Sequence, residues 1–127
     1  MDTKYSSAHT QCLIDICYGA SRNAGWWHDL NTGQDMAGKK NVPTLLMLIV
    51  SELGEAMEGH RKSKMDEHLP EFQSIEVELA DALIRICDMA GGMDYRLAEA
   101  VAAKLEFNKT RADHNVINRA TTNGKKY

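Results

Sequence analysis

Residues 43–62 read PTLLMLIVSELGEAMEGHRK. At about 100° per residue, a helix over this stretch has one apolar arc. The arc consists of Leu45, Leu48, Ile49, Leu53, Ala56 and Met57. Glu52 falls inside the arc and Glu55 at its border. Because an uncompensated carboxylate is costly to bury, the pattern predicts a core helix whose acidic residues meet a positive charge.

The rest of the chain predicts further helices and no strands. Each of the two prolines, at positions 43 and 70, precedes a long apolar-periodic stretch, as suits the first turn of a helix. No segment alternates apolar and polar residues with β-branched enrichment. The four predicted helices cover about Ser7–Asn23, Pro43–Lys62, Ser74 to the residue before Gly91, and Asp94–Arg111. We expect an all-α, four-helix-type bundle.

The third helix is apolar almost all round, so it needs cover on more than one side. Oligomerisation would supply that cover and complete the bundle. The alternative is cover by the N-terminal helix and the polar loop over Ala24–Lys40. Residues 1–112 are predicted to form one domain, and residues 113–127, which lack periodicity, a loosely ordered tail.

Composition sets limits on function. The chain has 127 residues, of which 43% are apolar and 26% charged, as in globular proteins. Its net charge of −3 makes a nucleic acid polymer an unsuitable partner. A phosphorylated small molecule stays possible if a metal supplies positive charge.

The chain also lacks signals for a membrane or for disulfides. The longest apolar run, Leu45–Val50, is too short to span a bilayer. The polar segment Met1–Ser7 is not followed by a signal peptide, so we expect a cytoplasmic protein without a membrane partner. Three cysteines, at positions 12, 17 and 87, have no metal-ligand spacing and are predicted to be reduced core residues.

Acidic pairs recur on the two central helices. Glu52 and Glu55 are three residues apart, as are Glu78 and Asp81, so each pair shares one helix face. Facing helices would present four carboxylates, and oxygen ligands suit Mg²⁺ or Mn²⁺. The alternative is a solvated acidic face balanced by neighbouring basic side chains.

The fourth helix changes character along one stripe. Leu97 and Val101 are apolar, whereas Lys104, Asn108 and Arg111 continue the same stripe with hydrogen-bond donors. Such a set suits phosphate oxygens. A helix end that protrudes into solvent, with basic residues favoured by the helix dipole, explains the pattern equally simply.

Two adjacent tryptophans follow the first helix. Trp26 and Trp27 come directly after Gly25 and are the only tryptophans of the chain. Tryptophans in a loop either close the edge of a core or stack on a flat ring such as a nucleobase, and the sequence leaves both possibilities open.

Taken in order, these segments resemble a known family. GWW at 25–27, SELGEAMEGHR at 51–61, ELADALIR at 78–85 and KLEFNKTR at 104–111 resemble the MazG-like, all-α nucleoside triphosphate pyrophosphohydrolases. The resemblance extends from about His9 to Arg111. The family's metal motif, Glu-x-x-Glu followed by Glu-x-x-Asp, is matched by Glu52, Glu55, Glu78 and Asp81. Family members often have a further acid before each motif, where this chain has Ser51 and Val77.

The resemblance implies an activity and a site. It implies hydrolysis of nucleoside triphosphates, with deoxynucleotides preferred, to the monophosphate and pyrophosphate by metal-assisted attack of water at the α-phosphate. Mg²⁺, or Mn²⁺, would be held by the four carboxylates, which are also the implied catalytic residues. Lys104, Asn108 and Arg111 would bind the phosphates, and Trp26 or Trp27 the base.

The resemblance also implies a homodimer or homotetramer. The departures at Ser51 and Val77 leave a second reading open, in which the chain is a non-catalytic helical module that binds a nucleotide or a partner protein.

Overall fold

The computed structural model describes residues 3–127, with side chains from Ser7 onward. The first two residues of the predicted polar segment Met1–Ser7 lie outside this range. No β-strand occurs in the described part of the chain, which confirms the all-α prediction. The helices are α1 (Thr3–Asn23), α2 (Val42–Arg61), α3 (Ser74–Gly92), α4 (Leu97–Thr110) and the short α5 (Val116–Arg119), with a 3₁₀ turn at Ala112–His114.

Local sequence explains where the two central helices begin. The Asn41 side chain accepts a hydrogen bond from the Thr44 backbone N–H at 3.0 Å and caps α2, with Pro43 in the first turn. At α3 the Glu76 carboxylate accepts a hydrogen bond from the Gln73 backbone N–H at 2.9 Å. Gln73 is therefore the N-cap of α3, and the helix begins at Ser74, as predicted.

The C-terminal end of α3 differs from the prediction that the helix stops before Gly91. Both glycines of the Gly91–Gly92 pair continue the helix. A Cβ atom on Gly92 would lie 2.0 Å from the Trp27 ring, and one on Gly91 would lie 2.5 Å from the Tyr18 side chain. These glycines therefore allow two aromatic side chains to approach the helix closely, and they do not terminate it.

The described chain divides into two compact units, each treated by itself. One covers Leu13–Tyr95 and contains α2 and α3, which pack on each other. The other joins the chain up to Cys12 with Arg96–Tyr127. The predicted domain over residues 1–112 stays a prediction.

In the Leu13–Tyr95 unit, the core beside α3 centres on Trp27. The ring is fully buried, and its Nε1–H donates a hydrogen bond of 2.8 Å to Asp88. The Ser21 hydroxyl donates to the other oxygen of the same carboxylate at 2.9 Å. Cys17 and Cys87 are also buried and free. The predicted reduced core cysteines are therefore found at these two positions.

Cys12 differs from that expectation, because it is free but exposed. It lies in the middle of α1, where a helix presents some of its residues to solvent.

The C-terminal residues, for which a loosely ordered tail stays a prediction, include two short helical elements. After Ala112–His114 and α5, the Arg119 guanidinium donates to the backbone carbonyls of Lys125 and Lys126 at 3.0 and 2.9 Å. The Lys126 ammonium donates back to the Arg119 carbonyl at 2.6 Å. Bonds from side chains to the backbone therefore hold a segment that has no apolar periodicity.

The α2–α3 pair leaves apolar surface exposed. Four residues of α2 fall within about 60° of one another on its exposed side, at about 100° per residue. They are Leu46, Val50, Leu53 and Met57, and α3 exposes Leu79, Leu83 and Ile86. We call the four residues of α2 the apolar stripe. None of the described helices has the length and hydropathy needed to cross a membrane.

Candidate metal centre

Three carboxylates converge where α2 packs on α3. Glu52, Glu55 and Glu78 each place a carboxylate oxygen within 4.8 Å of the others. Glu52 and Glu55 are brought together by their three-residue spacing on α2, and Glu78 approaches from α3. We call these three residues the carboxylate cluster. Its donors are all oxygens, the ligand type of Mg²⁺ and Mn²⁺, so the residues fit such an ion.

Glu52 is the buried member of the cluster. It is only 7% exposed, as its position inside the apolar arc predicts. The Arg85 Nε–H of α3 donates to its Oε1 at 2.6 Å. The positive charge that the buried acid requires is therefore supplied in part by the neighbouring helix.

The cluster alters the acidity of its own members. Burial raises the pKa of Glu78 to about 7, and the charge of Glu55 and a hydrogen bond with Glu52 contribute to the shift. A hydrogen bond shared with Glu52 raises the pKa of Glu55. Burial is the largest single influence on Glu52 and disfavours its ionised form, but the hydrogen bonds from Arg85, Glu55 and Glu78 and the charge of Arg85 together lower its pKa. Repulsion among the three carboxylates thus favours binding of a proton or a cation at the carboxylate cluster.

Asp81 lies next to the cluster and is not one of its three members. The carboxyl is partly buried, and its pKa is raised first by burial and then by the negative charge of Glu52. Its three-residue spacing places Asp81 on the same face of α3 as Glu78, but Asp81 is not among the residues whose carboxylate oxygens lie within 4.8 Å of one another. The structure therefore brings together three of the four predicted ligands.

The predicted phosphate-binding residues belong to the other unit, on α4 and directly after it. The Arg111 guanidinium donates to the Asn108 side-chain oxygen at 3.5 Å, and the Lys104 ammonium lies 4.8 Å from the centroid of the Phe107 ring. Asp113 accepts two hydrogen bonds from Arg111, at 2.9 and 2.5 Å. Arg111 therefore lies next to Asn108, but its guanidinium already has a carboxylate partner.

The two tryptophans occupy different environments. Trp26 is 70% exposed, whereas Trp27 is fully buried and meets Tyr18 edge-on, with ring centroids 5.6 Å apart. Trp27 is therefore a core residue in this structure. Only Trp26 presents a ring on which a base could stack.

A cleft beside the cluster involves residues that the sequence did not single out. It has a volume of about 350 Å³, and Glu55 and Glu78 contribute to its wall. The remaining wall comes largely from the loop at residues 62–73, which includes Lys64 and His68. The sequence shows a charged segment between the two acidic motifs, but charge alone does not predict a cleft.

Comparison of the chain with profiles of known protein families, with curated proteins and with solved structures finds no match.

Proposed function

We propose that the chain hydrolyses nucleoside triphosphates, with deoxynucleotides preferred, to the monophosphate and pyrophosphate in a metal-dependent reaction. The observation that carries the proposal is the convergence of Glu52, Glu55 and Glu78 within 4.8 Å of one another at the α2–α3 contact. The resemblance of the motifs around these residues to MazG-like pyrophosphohydrolases supplies the reaction.

In this proposal Glu52, Glu55 and Glu78 hold the metal, with Asp81 as a further ligand from α3. A bound Mg²⁺ or Mn²⁺ would neutralise phosphate charge and lower the pKa of a bound water. A carboxylate orients the attacking water and accepts its proton. The water oxygen bonds to the α-phosphorus, the bond from that phosphorus to the bridging oxygen breaks, and pyrophosphate leaves.

Donors on α4 bind the substrate in this proposal. Lys104, Asn108 and Arg111 donate hydrogen bonds to phosphate oxygens, which charge-assisted bonding makes strong. Arg111 exchanges its contact with Asp113 for a phosphate. Trp26 contacts the base, because its ring is the exposed one of the pair.

We further propose that the chain is a homodimer or homotetramer in which a second copy completes the four-helix-type bundle. The support is the apolar stripe on α2 together with exposed leucines on α3. Several exposed apolar side chains on one helix face are typical of interaction sites.

The proposal is tested by incubating the protein with Mg²⁺ and a panel of ribo- and deoxynucleoside triphosphates while measuring pyrophosphate. We expect release from at least one substrate, and loss of release in Glu52→Gln, Glu55→Gln and Glu78→Gln. Glu71→Gln is the matched control, because Glu71 is exposed in the loop between α2 and α3. Absence of pyrophosphate with every substrate, or full activity of Glu52→Gln, refutes the proposal.

One contact favours a second candidate, a non-catalytic helical module that binds a nucleotide or a partner. Arg85 already compensates part of the Glu52 charge without a metal. This candidate predicts that Mg²⁺ leaves the melting temperature unchanged. A Mg²⁺-dependent increase in melting temperature counts against it, because an ion that binds only the folded state stabilises that state.

A further inference from the structure

The cleft of about 350 Å³ starts at the carboxylate cluster. Glu55 and Glu78 line it from α2 and α3, and Gly59 lines it one turn further along α2. Its volume lies at the lower end of the range for small-molecule sites, so it suits a compact part of a ligand. A ligand group in the cleft would be adjacent to any ion held by the cluster.

Lys64 contributes a cation to this wall that forms no close ion pair within the described chain. The hydrogen bond from Lys62 is the main cause that lowers the pKa of Glu58, and the charge of Lys64 adds to it through space. Within the described chain, no carboxylate lies within ion-pair distance of its ammonium. The neighbouring Glu58 is already paired with Lys62 at 2.6 Å and with Arg61 at 3.6 Å. The charge of Lys64 is therefore available to a ligand.

The backbone holds Lys64 in place from both sides. Its N–H donates to the Gly59 carbonyl at 3.0 Å, and its own carbonyl accepts from the Ser74 N–H at 2.9 Å. A Cβ atom at Gly59 would lie 2.6 Å from the Ser74 Oγ, so glycine allows the first residue of α3 to approach α2 closely. The backbone from which the Lys64 side chain extends is thus held in place before any ligand arrives, which limits the backbone entropy lost on binding.

His68 occupies a second fixed position on the cleft. The Asp66 carboxylate accepts hydrogen bonds from the backbone N–H groups of His68 at 3.0 Å and Leu69 at 2.8 Å. This turn holds the segment from which the imidazole lines the cleft. An imidazole N–H can donate to a phosphate oxygen.

We propose that this cleft binds the two terminal phosphates of the substrate, which leave as pyrophosphate, and that Lys64 and His68 donate hydrogen bonds to them. The inference rests on the proposed function. It extends the site from the metal ligands to the loop between α2 and α3.

The charge of the cleft determines the form in which pyrophosphate binds. The wall contains one lysine and no arginine against five carboxylates, namely Glu55, Glu58, Asp66, Glu67 and Glu78. A free polyanion is repelled by such a wall, whereas the same anion together with divalent cations is not. The cleft therefore recognises the metal complex of pyrophosphate.

Calorimetric titration of the full chain with pyrophosphate, with and without Mg²⁺, tests this inference. We expect binding only when Mg²⁺ is present. Lys64→Met should weaken that binding by about tenfold or more, as loss of a charge-assisted hydrogen bond does, and Lys64→Arg should retain most of it. Lys62→Met is the matched control, because Lys62 pairs with Glu58 and does not line the cleft.

A second pair of variants tests the imidazole. His68→Ala should weaken binding of magnesium pyrophosphate, whereas His60→Ala should not, because His60 is exposed and is not part of the cleft wall. Melting curves of each variant separate loss of binding from loss of folding.

The outcomes distinguish this inference from the proposed function. If triphosphates are hydrolysed and Lys64→Met raises KM equally for substrates of every base, the results support the proposed function and the pyrophosphate cleft. If they are hydrolysed but Lys64→Met binds magnesium pyrophosphate like the wild type, or changes only the preference between bases, the inference is overturned and the function stands. If no triphosphate is hydrolysed but binding of magnesium pyrophosphate depends on Lys64, the proposed hydrolysis is refuted and the assignment of the cleft as a pyrophosphate site is retained.

Discussion

Arg85 Nε lies 2.6 Å from Glu52 Oε1, and this contact joins α3 to α2 beside the carboxylate cluster. The Glu52 side chain is 9% exposed and the Arg85 side chain 42%, so a buried acid is neutralised by a base that remains in contact with solvent. Arg85 bonds to one oxygen of Glu52 and thereby orients the carboxylate. The stability of a variant without Arg85 should therefore show how much compensation of the Glu52 charge contributes to the fold.

Arg85→Met should destabilise the metal-free protein by on the order of 1 kcal/mol, because Glu52 would then be buried without its hydrogen-bond donor. Mg²⁺ should raise the melting temperature of the variant more than that of the wild type, since the ion supplies the missing positive charge. Calorimetry or circular dichroism with and without Mg²⁺ measures both effects. Arg85→Lys should be intermediate, and equal stability of Arg85→Met and wild type without metal contradicts the prediction.

The raised pKa of Glu78, about 7, predicts a pH dependence. In the metal-free protein the folded state retains a proton that the unfolded state has lost, so stability should fall as pH rises from about 4.5 to about 7. Mg²⁺ affinity should rise over the upper part of this range, because the ligand must be deprotonated. Calorimetric Mg²⁺ titrations at several pH values measure this.

Glu78→Gln is the control for that pH series. In this variant the stability of the metal-free protein should no longer fall as pH rises, and the affinity for Mg²⁺ should be lower than that of the wild type. An affinity for Mg²⁺ that is constant between pH 6 and 8 in the wild type argues against Glu78 as a ligand.

The two tryptophans should respond differently to truncation. Trp27→Ala should destabilise the protein by about 3–5 kcal/mol, because it empties a buried site and removes one of the two hydrogen bonds that Asp88 accepts. Trp26→Ala should change stability by no more than about 0.5 kcal/mol, and under the proposed function it should raise KM for nucleotides. Denaturant unfolding and steady-state kinetics measure the two effects. A large loss of stability in Trp26→Ala contradicts the assignment.

The apolar stripe on α2 should mediate self-association. Leu53→Glu should lower the mass measured by light scattering after size-exclusion chromatography, because a carboxylate would be placed in an apolar contact. Gln34→Glu adds a carboxylate at an exposed loop position and is the control. If the wild type is monomeric, or if Leu53→Glu keeps the wild-type mass, this face is not the interface.

The burial of Glu52 agrees with its position inside the apolar arc, because helical periodicity depends only on spacing along the chain. The same arc also includes Leu53 and Met57, which are exposed, so periodicity did not define the limits of the buried face. The same periodicity predicted that Asn108 and Arg111 would share a stripe, and they are in contact. The proximity of Glu55 to Glu52 likewise follows from a three-residue spacing. The sequence thus determined the helices and the acids of each helix that lie on one face.

Which groups meet across helices and loops was decided by the tertiary structure. The approach of Glu78 to the α2 acids, the pairing of Arg85 with Glu52 and the burial of Trp27 against Gly92 depend on how the elements pack. The same holds for the cleft beside Lys64, which is formed by backbone bonds between a loop and two helices. These contacts join residues that are far apart in the chain, and helical periodicity relates only residues that are close in sequence.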